Sequence, residues 1–162
     1  LPNTSSWRIT ALATPIPNWS GSLTSQRPED TGELRIEDPG CQQMVGYETT
    51  IDRRTGTCTV TLDLQPQHLN RHGILHGGMT ATLLDVVCGN TASQFFDAEN
   101  HAALVTVSLN ISYVAAATGG RVTARAKATG GGASIAHIHG ELLDAEGKLL
   151  ATATGIFKRI RK

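Results

Sequence analysis

One carboxylate in an apolar helical run, with a His-Gly-Gly at the head of that run and an asparagine ahead of it, forms the part of this sequence equipped for chemistry. The segment reads Asn70-Arg71-His72-Gly73-Ile74-Leu75-His76-Gly77-Gly78, and the acid is Asp85. Helix N-termini leave backbone N–H groups without intrahelical partners, and Ser, Thr, Asp or Asn usually caps them. None of these stands directly before Gly77; His76 does. Gly77-Gly78 has no side chains to hold another molecule away from the backbone. An uncapped start of this kind suits a carbonyl oxygen or a developing oxyanion. It also reads as a plain entry turn, and these residues alone do not separate the two.

Asp85 sits in Ala81-Thr82-Leu83-Leu84-Asp85-Val86-Val87-Cys88-Gly89, where a carboxylate is expensive unless it has a partner or a task. Its neighbours at three and four positions are Ala81, Thr82, Cys88 and Gly89, all small, which leaves room for a substrate or another backbone. A structural acid bonded to a strand or to Thr82 is the competing reading. Spacing adds a constraint. Gly77 and Asp85 lie about 12 Å apart along one helix, whereas a reacting carbonyl must sit near 3 Å from both its oxyanion donor and its base or nucleophile. If both act on one carbonyl, they come from different subunits, and the active site requires a dimer.

The elements that must position these groups are one helix and a set of strands. The helix is expected from about Gly77 to Phe95, the only long helical pattern in the chain. Before it, Met44–Asp52 and Thr57–Leu64 read as strands around the turn Arg53-Arg54-Thr55-Gly56. After it come His101–Val114, Arg121–Thr129, Ala133–Asp144 and Lys148–Lys158, expected to be joined by tight hairpins. In the second of these, Val122, Ala124, Ala126 and Ala128 alternate with polar residues, and such small inward residues anticipate a helix close against that face. The expected order is β-β-α-β-β-β-β, an α+β fold with a single antiparallel sheet wrapped around one long central helix. One helix covers only one face of such a sheet. Residues 1–40 read as an N-terminal extension with Trp7 and Trp19 as packing anchors, and 41–162 as the domain.

Composition narrows the function. Fourteen basic and fourteen acidic residues cancel, which argues against nucleic acid as a partner. No apolar run approaches the roughly 20 residues of a membrane span. Three cysteines, Cys41, Cys58 and Cys88, are odd in number and include no CxxC pair, so a reducing cytoplasm is the expectation. His68, His72 and His76 form a ladder suited to metal only on a continuous helix, and Pro66, Gly73 and Gly77 break it; no metal is expected. No GxSxG elbow or P-loop is present. Cys88 reads as a core thiol, and His137 and His139 as surface or subunit-contact residues.

Asn70, Gly73, His76-Gly77-Gly78 and Asp85 at this spacing, with matching strands behind them, resemble the hotdog-fold acyl-CoA thioesterases, specifically the phenylacetate-degradation (PaaI-like) branch. The likeness covers about Met44 to Lys158. It implies that Gly77 donates its N–H to the thioester oxygen, and that His76 and Asn70 orient the thioester or a water. It also implies that Asp85 of the facing subunit is nucleophile or general base, and that Thr106 places a hydroxyl near that acid. Gly78, His72 and Arg125 are the implied substrate contacts. The chain departs from the family's pattern at Ser108, where many relatives have Asp, and at Gly130-Gly131-Gly132-Ala133-Ser134, which lacks a basic residue often seen after that turn. Arg121, Arg125, Lys127, Lys158 and Arg159 are then the cations available to CoA phosphates, although solvated strand faces explain them equally.

The function so implied is hydrolysis of an acyl-CoA to a free carboxylic acid and CoA. The expected assembly is a homodimer that pairs into a homotetramer, with no cofactor beyond the CoA of the substrate. A hotdog acyl-thioester hydratase or dehydratase, using His76 with Asp85, and a non-catalytic acyl-CoA binding module are the alternatives.

Overall fold

Alternation decides which face of each strand meets the helix. The computed structural model describes residues 32–160, so Trp7 and Trp19 lie outside the described residues. Seven strands are present: β1 (Glu33–Ile36), β2 (Glu48–Asp52), β3 (Thr57–Asp63), β4 (Leu104–Tyr113), β5 (Arg121–Gly131), β6 (Ile135–Leu143) and β7 (Leu149–Arg159). The helices are α1 (Cys41–Val45) and α2 (Gly77–Phe96). All strands join one antiparallel sheet in the order β1-β2-β3-β5-β6-β7-β4. On β3, Cys58, Val60 and Leu62 are buried. They share the inner face with Val122 and Ala124 of β5, Ala136 and Ile138 of β6, and Ala151, Ala153 and Phe157 of β7.

That face holds α2. Thr80, Leu83, Leu84, Val87, Cys88, Thr91 and Ala92 are its buried stripe, a three-and-four spacing that keeps one side of the helix against the sheet. Each fully buried leucine or valine there contributes about 1.5–3 kcal/mol. The helix lies so close that a β-carbon on Gly140 would meet Cys88 Sγ at 2.7 Å. The small inward residues anticipated from the sequence therefore serve this approach, although Ala128, near the outer end of β5, is exposed. His137 and His139 are on the outer face as expected, opposite the buried Ala136 and Ile138. Among the described residues no helix is long and apolar enough to cross a membrane.

Three expectations need correction. Met44–Asp52 is not one strand. Gly46 takes φ +84 and closes the short helix α1, its N–H bonding to Gln42 O, so β2 starts only at Glu48; a left-handed residue of this kind ends a helix and cannot continue a strand. Next, Glu33–Ile36 pairs with β2 as an edge strand, with Leu34 and Ile36 packed on the core; four residues are too few to show a period in sequence. Finally, β4 and β5 are not a hairpin. β4 pairs with β7 at the far edge, while β5 lies between β3 and β6, because the chain after Tyr113 crosses the end of α2, where Leu75 N–H bonds Ala117 O.

Candidate active site

The start of α2 is capped, against the expectation from sequence, and the cap leaves one donor open. His76 adopts extended backbone angles and its Nδ1 accepts from Gly78 N–H at 2.9 Å. The His76 carbonyl takes Met79 N–H at 2.9 Å and Thr80 N–H at 3.1 Å. Gly77 N–H takes no partner among the described residues. A histidine does here what Ser or Asn does elsewhere, which is why residue type alone missed it. With Nδ1 accepting, the neutral ring carries its proton on Nε2, so His76 donates outward and has no free lone pair to act as a base.

Asn70 builds the loop beside this donor. Its Oδ1 accepts from His72 N–H at 2.8 Å and Ile74 N–H at 3.4 Å, and its backbone N–H bonds Ile74 O. Gly73, at φ +70, supplies the left-handed residue this turn requires. Since Oδ1 is engaged, the Asn70 amide nitrogen is the end left for a ligand. His68, read from sequence as a loop residue, is instead buried, with Nε2 2.8 Å from Val45 O and Nδ1 accepting from Gln65 N–H. It ties the loop to α1. Among the described residues no group of three or more His, Cys, Asp or Glu side chains is placed to hold a metal.

Asp85 is two turns further along α2, half-buried on the flank of the helix and not on its inner stripe. Thr106 Oγ1 donates to Asp85 Oδ1 at 2.9 Å. Thr82 is bonded instead to Gly78 O, so the acid's hydroxyl partner comes from β4. A bulge makes that possible. Thr106 pairs with Phe157 and Ser108 with the next residue, Ile156, leaving Val107 without a cross-strand partner. Leu104 faces the core before the bulge, and Leu109 and Ile111 face it afterwards. Without the extra residue Thr106 would fall on the outer face; bulges re-aim side chains in this way. Burial, then the charge of Asp85, pushes the Cys88 thiol up to about 12, in keeping with a core thiol and not a nucleophile.

The two candidate groups open into separate clefts. One, about 390 Å³, is lined by Asp85, Thr106, Tyr47, Val86, Asn90 and Leu104 among others. The second, about 360 Å³, is lined by Asn70, Ile74, Gly77, Thr80, Tyr113 and Leu150 among others. No residue lines both. Burial, with smaller contributions from Cys41, Asp38 and Asp85, pushes the Tyr47 hydroxyl up to about 12, so it stays neutral beside the acid.

Residues 72–151 match the thioesterase superfamily. This chain carries a thioesterase-superfamily domain of hotdog fold. Within that superfamily it is similar to mouse acyl-coenzyme A thioesterase 13, 27% identical over 96 residues, which cover 59% of this chain and 66% of that protein, just under two thirds. A Bacillus halodurans protein solved with CoA superposes at a TM-score of 0.68 with 29% identity, over 75% of this chain and 79% of that one. A phenylacetic acid degradation-related protein from Ralstonia eutropha superposes at 0.66 with 27% identity, over 76% and 92%. Its neighbours thus include the PaaI-like branch.

The fold brings Thr106 to Asp85, and Asn70 and His76 to Gly77, but keeps the two groups apart. His72 and Gly78 are exposed near the helix start, with His72 Nε2 bonded to Arg71 Nε. Arg125 is exposed on the face of β5 away from the helix and lines neither cleft. Sequence reasoning gave no role to Tyr113, whose hydroxyl donates to Gly77 O at 3.1 Å, or to Tyr47. Aromatic residues in strands read as packing until the edge position of β4 is known.

Proposed function

We propose that this protein is an acyl-CoA thioesterase whose active site forms between two subunits, with Asp85 of one and Gly77 of the other on the same thioester. The observation that carries this reading is the course of β4. It is an edge strand that touches the acid at one end through Thr106 and the helix start at the other through Tyr113. Antiparallel pairing of β4 with its own copy about a two-fold axis sets the Thr106 end of one strand beside the Tyr113 end of the other. Each half-site then meets the complementary half. Val105 and Val107, 47% and 57% exposed on β4, suit such burial.

In this reading the thioester carbonyl oxygen accepts from Gly77 N–H, with the Asn70 amide and His76 Nε2–H beside it. Thr106 holds Asp85 Oδ1 and leaves Oδ2 for the reaction. As a general base, Oδ2 takes a proton from water as the water oxygen bonds to the carbonyl carbon. The oxyanion rests on Gly77 N–H, the C–S bond breaks, and the CoA thiolate recovers the proton. As a nucleophile, Oδ2 bonds to the carbonyl carbon first, and water then opens the resulting anhydride. The CoA of the Bacillus halodurans structure supports CoA as the leaving group, and the reaction needs no resident cofactor. His72 and Gly78 contact the substrate near the helix start. Arg125 reaches only a part of the substrate that extends to the outer sheet face, where pairs of dimers would also meet to give a homotetramer. Three free thiols suit a reducing cytoplasm.

The hydratase reading ranks lower, because it asks His76 to accept a proton and its Nδ1 lone pair is engaged by Gly78 N–H. A thiol-release assay on a panel of acyl-CoAs tests the proposal. Release of CoA with stoichiometric free acid supports it. Loss of enoyl absorbance without free thiol would favour hydration, and binding without either product would favour a binding module.

A further inference from the structure

The Gly77–Gly78 peptide is held at both ends. Its carbonyl accepts from the Tyr113 hydroxyl at 3.1 Å, and its N–H donates to His76 Nδ1 at 2.9 Å. The tyrosine ring also lies against Gly77 itself, where a β-carbon would meet Tyr113 Oη at 3.4 Å and Cε1 at 3.5 Å. Tyr113 is 60% exposed, so core packing does not account for its position. Its ring lines the cleft beside Gly77.

We propose that Tyr113 is a positioning residue for the Gly77 N–H. Two successive glycines make a loose start to a helix. The His76 carbonyl, bonded to Met79 and Thr80 N–H, fixes the peptide that carries the Gly77 N–H on one side. The peptide that follows is free to rock unless something holds its oxygen, and Tyr113 does so. A donor fixed before the reaction stabilises a developing oxyanion better than one that must reorient. A second donor on that carbonyl also polarises the peptide and strengthens its N–H bond to His76. The ring, meanwhile, covers one side of Gly77 and limits the direction from which a carbonyl approaches. This inference rests on the thioesterase reading above.

Tyr113→Phe removes the hydroxyl and keeps the ring. The expected result is a kcat lowered about tenfold with KM within about twofold of wild type, the mark of an interaction made mainly in the transition state. A spectroscopic readout separates positioning from a structural role. In an Asp85→Asn background, the isotope-edited infrared carbonyl band of a bound acyl-CoA should lie below that of free acyl-CoA. Adding Tyr113→Phe should move it back toward the free value and broaden it. An unchanged kcat and an unchanged band in a wild-type protein that does hydrolyse acyl-CoA would overturn the positioning role alone. Absence of hydrolysis by the wild-type protein would overturn the thioesterase reading and this inference with it.

Discussion

The two ends of α2 meet the same strand in opposite ways. At the Gly77 end the backbone is the working group: side chains and carbonyls satisfy the N–H groups of Gly78, Met79 and Thr80 and leave that of Gly77 open. At the Asp85 end a side chain is the working group, held by Thr106 from a bulged stretch of β4. One end offers a fixed partial positive charge and the other a full negative one, and they face separate clefts. A single subunit thus holds two complementary halves that it cannot bring together. Their complementarity makes sense only across a two-fold axis.

The sharpest way to break this picture is at the acid. Asp85→Asn keeps shape and the Thr106 contact while removing the charge, and turnover should fall about 10²–10⁴-fold with the assembly intact. Near-normal turnover by a folded Asp85→Asn protein would contradict the assigned role. At the other end, Gly77→Pro deletes one N–H. Proline is well tolerated at the first helical position, and His76 at φ −63 and ψ 133 already has angles that suit a following proline. The expected loss is about 10²–10³-fold in kcat, with the helical circular-dichroism signal unchanged; a smaller loss than for Thr106→Ala would rule out Gly77 as the oxyanion donor.

Supporting residues should matter less. Thr106→Ala should lower kcat about tenfold, since it frees the carboxylate without removing it, and Thr106→Ser should restore most of the loss. His76→Ala removes the cap and should cost about 1 kcal/mol of stability, read as a fall in Tm of about 2–4 °C. His76→Asn supplies a cap of another type and should hold both Tm and kcat closer to wild type. A loss in His76→Asn as steep as in Asp85→Asn would instead mean that the ring itself moves a proton.

Much of this was legible in sequence where the signal is local. Alternation in β3 and β7 fixed their inward faces, and α2 stood out by length. The separation of Gly77 from Asp85 follows from helix rise, so the need for a second subunit preceded any structure. What stayed hidden depends on distant partners. β4 lies beside β7 because of how the chain crosses the end of α2, and no feature of Leu104–Tyr113 announces it. The bulge at Val107 is visible only as register against β7, and with it the reason Thr106 faces inward. His76 as a cap and Tyr113 as a clamp depend on side-chain directions at a junction of loop, helix and edge strand, beyond what residue type conveys.

The central claim, that each active site joins two chains, is most directly tested by mixing defects. Asp85→Asn and Gly77→Pro subunits are co-expressed in equal amounts with different tags, and thiol release is measured on the mixed assembly and on each variant alone. A shared site predicts about a quarter of wild-type activity from the mixture, because random pairing of the two chains gives that fraction of sites an intact Asp85 and an intact Gly77. Each variant alone should be nearly inactive. A mixture no more active than the two variants measured separately would place both groups of each working site in one chain and contradict the account.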